Sequence, residues 1–280
     1  YLDRETGKLY FYPPDKIEGN EVIVSLLNTP LVSMNEASYI VFSDITFEAT
    51  RNHGVDIKKG RNNLIVASVI KNTGEWAVNI KGGFEHGVVG CDIYDTGEGG
   101  ISLDFERNSS AMVPYRKEII PARHLVKNNH IHRFNRFDGG YRQGVRIDGV
   151  GQIVTHNVIH DAPMQGIYFN ANDHVIEYNE LHDVVHEGRE LGSIYIYGEP
   201  WYLMSRGTVI RNNYFHHLSY HSSPNLTHGL NAIHIDAING GIVIEKNFFY
   251  KFPNGISNPQ PENRMENNVF VDAEIRSIEQ

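Results

Sequence analysis

Four carboxylates in this chain stand where paired acid–base chemistry could be done. Asp104 and Asp148 close the short runs Gly100-Ile101-Ser102-Leu103-Asp104 and Gly144-Val145-Arg146-Ile147-Asp148. Asp236 closes Ala232-Ile233-His234-Ile235-Asp236, and Glu190 sits in the turn Gly188-Arg189-Glu190-Leu191-Gly192. Two carboxyl groups about 5–5.5 Å apart, or about 6.5–9.5 Å apart, flanking a glycosidic bond can hydrolyse it with retention or inversion. Side chains suited to sugars recur near them: Arg146, Asp148, Tyr168, Asn170, Tyr195, Tyr197, Trp201 and His234. Flat rings cover sugar faces, and bidentate polar groups bond vicinal hydroxyls. Composition narrows the rest. The single cysteine, Cys91, rules out an internal disulfide framework and a multi-thiolate zinc site. Thirty-four acidic against 25 basic residues give a net charge of −9, which argues against a nucleic-acid partner. No apolar run approaches the ~20 residues of a membrane helix, so membrane insertion is not expected.

These residues are far apart in sequence, and only a repeating architecture brings them together. The run Ile153-Val154-Thr155-His156-Asn157-Val158-Ile159-His160 returns as Val175-Ile176-Glu177-Tyr178-Asn179-Glu180-Leu181-His182 and as Val209-Ile210-Arg211-Asn212-Asn213-Tyr214-Phe215-His216. Looser copies centre on Asn129, Asn247 and Asn268, with Ser43, Ser68 and Cys91 holding the same slot earlier in the chain. The base period is near 22 residues, lengthened where loops are inserted. A unit of that size with short strands cannot close a core alone, but stacked units bury one continuous aliphatic column. The prediction is an all-β, right-handed parallel β-helix: a single-stranded solenoid of about nine coils with inserted loops. Sparse leucine argues against a leucine-rich repeat, and a propeller's longer period is absent. Residues 1–38 are expected to be lead-in strands or a cap and residues 39–280 the β-helix. Tyr1 opens inside a strand-like run, so an N-terminus trimmed from a longer chain is expected.

The slot asparagines predict an internal ladder, each side chain bonding the next coil, with Cys91 as a core member rather than a nucleophile. Between the slots lies a strand with period-two alternation. Its outward third positions read Asp56, Asn79, Ser102, Arg146, Tyr168, Tyr195 and His234, and its fifth positions Lys58, Lys81, Asp104, Asp148, Asn170, Tyr197 and Asp236. Strands about 4.8 Å apart turn each series into a column, so adjacent-rung acids become neighbours. Both Asp104 with Asp148 and Glu190 with Asp236 satisfy that condition. Insertions at residues 108–121, 199–206 and 219–230 would wall a groove along the face, suiting a polysaccharide or oligosaccharide better than a small metabolite. His132, His160, His182 and His216 each follow a ladder Asn by three residues and are expected to stack, while His234 shares the candidate face. Rungs ~4.8 Å apart are too far for one zinc at ~2.1 Å without side-chain convergence, so no catalytic metal or cofactor is expected. Asp and Asn at the turns could hold a structural calcium ion.

The runs Asn157-Val158-Ile159-His160-Asp161-Ala162-Pro163 and Asn172-Asp173-His174-Val175-Ile176-Glu177-Tyr178-Asn179-Glu180-Leu181-His182-Asp183-Val184 resemble right-handed β-helix proteins of polysaccharide-degrading bacteria. Tyr1-Leu2-Asp3-Arg4-Glu5-Thr6-Gly7-Lys8-Leu9-Tyr10-Phe11-Tyr12-Pro13-Pro14 is similar to the segment leading into their helix. Among characterised groups the chain resembles the glycoside hydrolase family that includes α-L-fucosidases and xylanases. The resemblance implies one acid at Glu190 in Glu190-Leu191-Gly192-Ser193-Ile194-Tyr195 and another at Asp236 in His234-Ile235-Asp236-Ala237, ranking that pair above Asp104 and Asp148. It implies a glycoside hydrolase, and since polysaccharides lie outside the cytoplasm, an extracellular or periplasmic location is expected. A polysaccharide lyase using Lys58, Lys81 or Arg146 against a uronate, and a non-catalytic glycan-binding module, are the rival readings.

Overall fold

The computed structural model describes the chain except residues 14–15, 20, 105–119, 188–190, 198–205, 219–229, 237–239, 253, 258–261, 274 and 277–280. Each winding makes three short strands, as in Leu64–Val66, Val69–Thr73 and Val78–Lys81. Successive windings superpose these into a ten-stranded sheet I (Val32–Asn35 to Ile275–Arg276), a nine-stranded sheet II (Val41–Ser43 to Arg264–Glu266) and a nine-stranded sheet III (Thr46–Thr50 to Val269–Val271). Every strand pairs in parallel with its counterparts in the neighbouring windings. The fold is the right-handed parallel β-helix that the repeat predicts, the hand that L-residues favour for parallel crossovers. Stacking begins with Val32–Asn35, which pairs with Val55–Lys58 inside the segment expected as lead-in. Residues near the N-terminus fold back through an antiparallel Leu2–Leu9 bridge.

The interior is a set of aliphatic columns. Val55, Val78, Ile101, Val145, Ile167, Ile194, Ile233 and Ile256 follow one another along sheet I, all fully buried. Sheet III ends in stacked Phe215, Phe249 and Phe270, with ring centroids 4.9 and 4.6 Å apart.

What reads in sequence as a single run is two strands with a sharp bend between them. Ile153–Thr155 belongs to sheet II and Val158–His160 to sheet III, and the corner between them is His156-Asn157. His156, Tyr178 and Asn212 each take the left-handed conformation (φ 58°, 54° and 54°) just before their ladder Asn. That conformation costs a non-glycine residue about 1–2 kcal/mol, which the ladder offsets. Asn129, Asn157, Asn179 and Asn213 each donate through Nδ2 to the Oδ1 of the next rung at 2.9–3.0 Å. The same Oδ1 also accepts a backbone N–H, as from Asn157 to Asn179 at 3.0 Å. Cys91 lies in this ladder, with its N–H donating to Asn129 Oδ1 and its thiol pushed up in pKa by burial.

Ser43 is not a ladder member. The register Val41↔Leu64 places Ile45 opposite Ser68, whose Oγ accepts the Ile45 N–H at 3.2 Å. Ser43 lies on the preceding strand, exposed and bonded to Asp44. At the end of the stack the slot is 37 % exposed, so the polar side chain required between windings is not required there.

A second polar ladder, unread in the sequence, lines the corner into sheet II, five residues before each slot. The backbone N–H groups of Asn63, His86, His124, Gln152 and His174 donate in turn to His86 Nδ1, His124 Nδ1, Gln152 Oε1, His174 Nδ1 and Thr208 Oγ1 at 2.8–3.3 Å. Nδ1 therefore accepts, and Nε2–H of His86 and His174 donates to the carbonyls of Lys59 and Asn170. Burial keeps these rings neutral, pulling His124 down to about 3 and His174 to about 4.

Candidate functional site

The outer face of sheet I keeps the register expected of the two columns. Ser102, Arg146, Tyr168, Tyr195, His234 and Ser257 follow one another on successive strands, and Tyr197 stands opposite Asp236. Over the middle windings this face opens a cleft of ≈ 430 Å³ lined by Tyr141, Gln143, Arg146, Tyr168, Tyr195, Tyr197 and Asp236. Its floor is aromatic because parallel pairing places like side chains one above another. Tyr168 stacks on Tyr195 at 6.1 Å, Tyr195 on His234 at 5.3 Å, and the Arg146 guanidinium lies 5.7 Å from the Tyr168 ring centre.

Among the described residues, Asp236 is the carboxylate that lines the cleft. The Tyr195 hydroxyl donates to its Oδ2 at 2.6 Å. Burial first, then the hydrogen bond and charge of Asp236, push the Tyr195 phenol far above its ordinary value. Tyr195 thus keeps its proton and serves as a donor to Asp236. Arg146 donates through Nε to Asp148 Oδ2 at 2.9 Å, with the Asp148 side chain only 2 % exposed. Burial opposes the Arg146 charge, but Asp148 and Asp104 outweigh it and raise its pKa. Both carboxylates favour the Arg146 charge, and Asp148 is taken up by the guanidinium in a direct ion pair. Asp148 and Asp236 are three rungs apart, about 14 Å at the ~4.8 Å strand spacing, beyond the reach of a glycosidase pair.

The other expected residues divide by position. Tyr197 is half exposed at the rim of the cleft. His234 is buried under Tyr195, its Nδ1 accepting from Asn231 Nδ2 at 2.7 Å and within 2.9 Å of Ser257 Oγ, so it braces the aromatic floor from below. Asn170 sits at a bend, where its Oδ1 accepts the Ala171 N–H and its carbonyl the His174 ring N–H. Glu190 and Trp201 lie outside the described residues. Tyr141 and Gln143, in the turn before Val145–Ile147, line the cleft without having been read as site residues. Gln143 repeats as Gln165, each just before the glycine that opens its strand, and its Nε2 donates to Gln165 Oε1 at 3.4 Å; Tyr141 belongs to no column, its signal being an aromatic residue in a turn leading to a site strand.

Residues 143–279 match the protein family described as right handed beta helix region. No curated protein matches the chain by sequence. Similar solved structures include a glycoside hydrolase (15% identity, TM-score 0.57, covering 77% of this chain and 38% of that one). The tailspike protein of E. coli bacteriophage HK620 in complex with pentasaccharide matches at 12% identity and a TM-score of 0.58, over 90% of this chain and 45% of that one. Alginate lyase from Paenibacillus sp. str. FPU-7 matches at 12% identity and a TM-score of 0.60, over 89% and 82%. At these identities the likeness is one of fold, and this chain spans less than half of the hydrolase and tailspike chains.

Proposed function

We propose that the protein is a glycoside hydrolase acting on a polysaccharide or its oligosaccharides in the cleft of sheet I. The observation that carries this reading is the Asp236 carboxylate, hydrogen-bonded by Tyr195 at 2.6 Å on an aromatic floor. Asp236 and Glu190 are the acid pair, one protonating the leaving oxygen and the other activating water or attacking the anomeric carbon. Tyr195 positions the Asp236 carboxylate by its donated hydrogen bond, Tyr168 and Tyr197 offer ring faces to the sugar, and Trp201 adds another. The mechanism needs no cofactor. The resemblance to the family of α-L-fucosidases and xylanases, together with similar folds in a glycoside hydrolase and a pentasaccharide-binding tailspike, supports a glycan substrate. Polysaccharides lie outside the cytoplasm, so the reading carries an extracellular or periplasmic location.

Two features favour hydrolysis over β-elimination. A lyase needs a base and a cation for the uronate, yet Tyr195 holds its proton in the bond to Asp236 and Arg146 is engaged by Asp148. The test is Asp236→Asn and Glu190→Gln, each assayed for new reducing ends on a panel of plant and algal glycans. Each substitution is expected to lower kcat by about 100-fold or more; activity within about tenfold of the wild type removes the assignment. An unsaturated, ultraviolet-absorbing product would make the protein a lyase. Binding without any product would make it a glycan-binding module.

A further inference from the structure

On a different sheet from the cleft, sheet III, the outer face carries a column of imidazoles. Rings of His132, His160, His182 and His216 stack in that order with centroids 5.2, 4.6 and 4.6 Å apart. A stack alone does not bind a metal, because neighbouring rings share faces rather than lone pairs. Convergence comes from the adjacent outward column, two residues earlier on each strand. It produces two groups, Asp92 with His130 and His132, and Glu180 with His182 and His216, whose candidate ligand atoms lie within 4.8 Å of one another.

Hydrogen bonds separate the two groups. His132 Nε2 faces Asp92 Oδ1 at 3.3 Å, while Arg133 Nη1 lies 2.9 Å from His132 Nδ1. A guanidinium has only donors, so His132 Nδ1 accepts and the ring proton stays on Nε2, the atom a metal would need. In the other group His182 Nδ1 lies 3.0 Å from Asp183 Oδ2, so it donates there and leaves the Nε2 lone pair to a ligand. His216 Nε2 is 2.9 Å from Glu180 Oε1, and its Nδ1 is 2.8 Å from His217 Nδ1. A cation can displace the Nε2 proton there while an Nδ1–H donates to His217. An acceptor behind each ligating imidazole is the arrangement that supports metal binding.

We propose that Glu180, His182 and His216 bind a divalent transition-metal ion of the zinc type, independently of the glycan cleft. Two imidazoles and a carboxylate suit zinc and its neighbours, whereas calcium and magnesium take oxygen ligands. Tetrahedral ligands at about 2.0–2.1 Å from zinc are about 3.3 Å from one another. The Glu180–His216 contact of 2.9 Å already lies within that edge, and a tilt of the His182 ring closes the remaining gap. Glu180 is 44 % exposed, which leaves the fourth position to water.

The test is calorimetric titration of chelator-treated protein with zinc chloride, with cobalt(II) spectra as a second readout. The wild type is expected to bind one zinc at this site and to give the intense d–d bands of four-coordinate cobalt. His182→Ala and His216→Ala should each weaken zinc binding by about 100-fold or more, and Asp183→Asn by about tenfold. His130→Ala should leave binding unchanged. Circular dichroism of each metal-free variant checks the fold, and His216→Gln replaces His216→Ala should the latter not fold. Absence of zinc binding to the wild type overturns the proposal, as does binding that survives both histidine substitutions or is lost in His130→Ala.

Discussion

Replacing Asn179 with alanine would remove the middle of the asparagine ladder. Four bonds go with it: Asn179 Nδ2 to Val154 O and to Asn213 Oδ1, and Asn157 N and Nδ2 to Asn179 Oδ1, all at 2.9–3.0 Å. Three of these leave partners with other bonds or a strand carbonyl, at about 0.5–1.5 kcal/mol each. The fourth strands the Asn157 backbone N–H in a fully enclosed corner, at about 1–3 kcal/mol. The loss expected is therefore about 2.5–7.5 kcal/mol, with a central value near 5. Ser68→Ala is the internal control: it removes only the Ser68 Oγ bonds to Val66 O and from Ile45 N at the exposed end of the stack, and should cost about 1 kcal/mol. The assay is guanidinium unfolding followed by far-ultraviolet circular dichroism, with native-state hydrogen exchange to show whether the windings around residue 179 open before the ends. If Asn179→Ala costs no more than Ser68→Ala, the ladder is not what holds the corners, and the account of the left-handed residues at each bend fails with it.

Stability should also fall in acid before the carboxylates titrate. His124 and His174 have folded-state values of about 3 and about 4 against an ordinary value of 6.5, so the unfolded chain binds more protons. Their contribution is complete above pH 6.5 and is lost as pH falls toward 4, at about 2 kcal/mol per ring by pH 5. The urea midpoint between pH 7.5 and 5 measures it, and His174→Gln, which copies Gln152 of the same ladder, should flatten the slope by no more than about a third, because His53, lowered by burial to about 4, contributes as much and His86 adds to it. A slope unchanged in His174→Gln would mean that the buried ring does not govern the transition. Tyr195→Phe keeps the stack between Tyr168 and His234 and deletes only the bond to Asp236. It should cost about 1 kcal/mol of stability, and steady-state hydrolysis rates should show kcat lower by about tenfold or more with KM nearly constant.

Repeat spacing made much of the architecture legible. Side chains that recur every 22 residues or so must superpose, so the β-helix, the Asn ladder with Cys91 inside it, and the two outward columns of sheet I could all be read before any coordinates. Parallel pairing has no freedom to scramble such columns, since a one-residue slip would expose every inward Ile and Val. Ser43 shows the limit of that reading: a small polar residue two positions away looked like the slot until the register placed Ile45 there.

Tertiary structure decided what depends on side-chain direction at bends and on contacts across rungs. The ladder of His86, His124, Gln152 and His174 mixes residue types, so no single letter repeats, although one hydrogen-bonding requirement recurs at each corner. Whether Asp148 faced a sugar or an internal partner turned on Arg146, two residues away on the same outward face, folding back onto it. Tyr141 reaches the cleft from a turn outside the repeat, where spacing carries no positional information. The histidine column was visible as a stack, but the convergence of Glu180 with His182 and His216 needed the adjacent column and the ring tautomers set by Asp183 and His217. A period determines which residues share a rung; only the three-dimensional positions of neighbouring donors and acceptors determine what each of them does there.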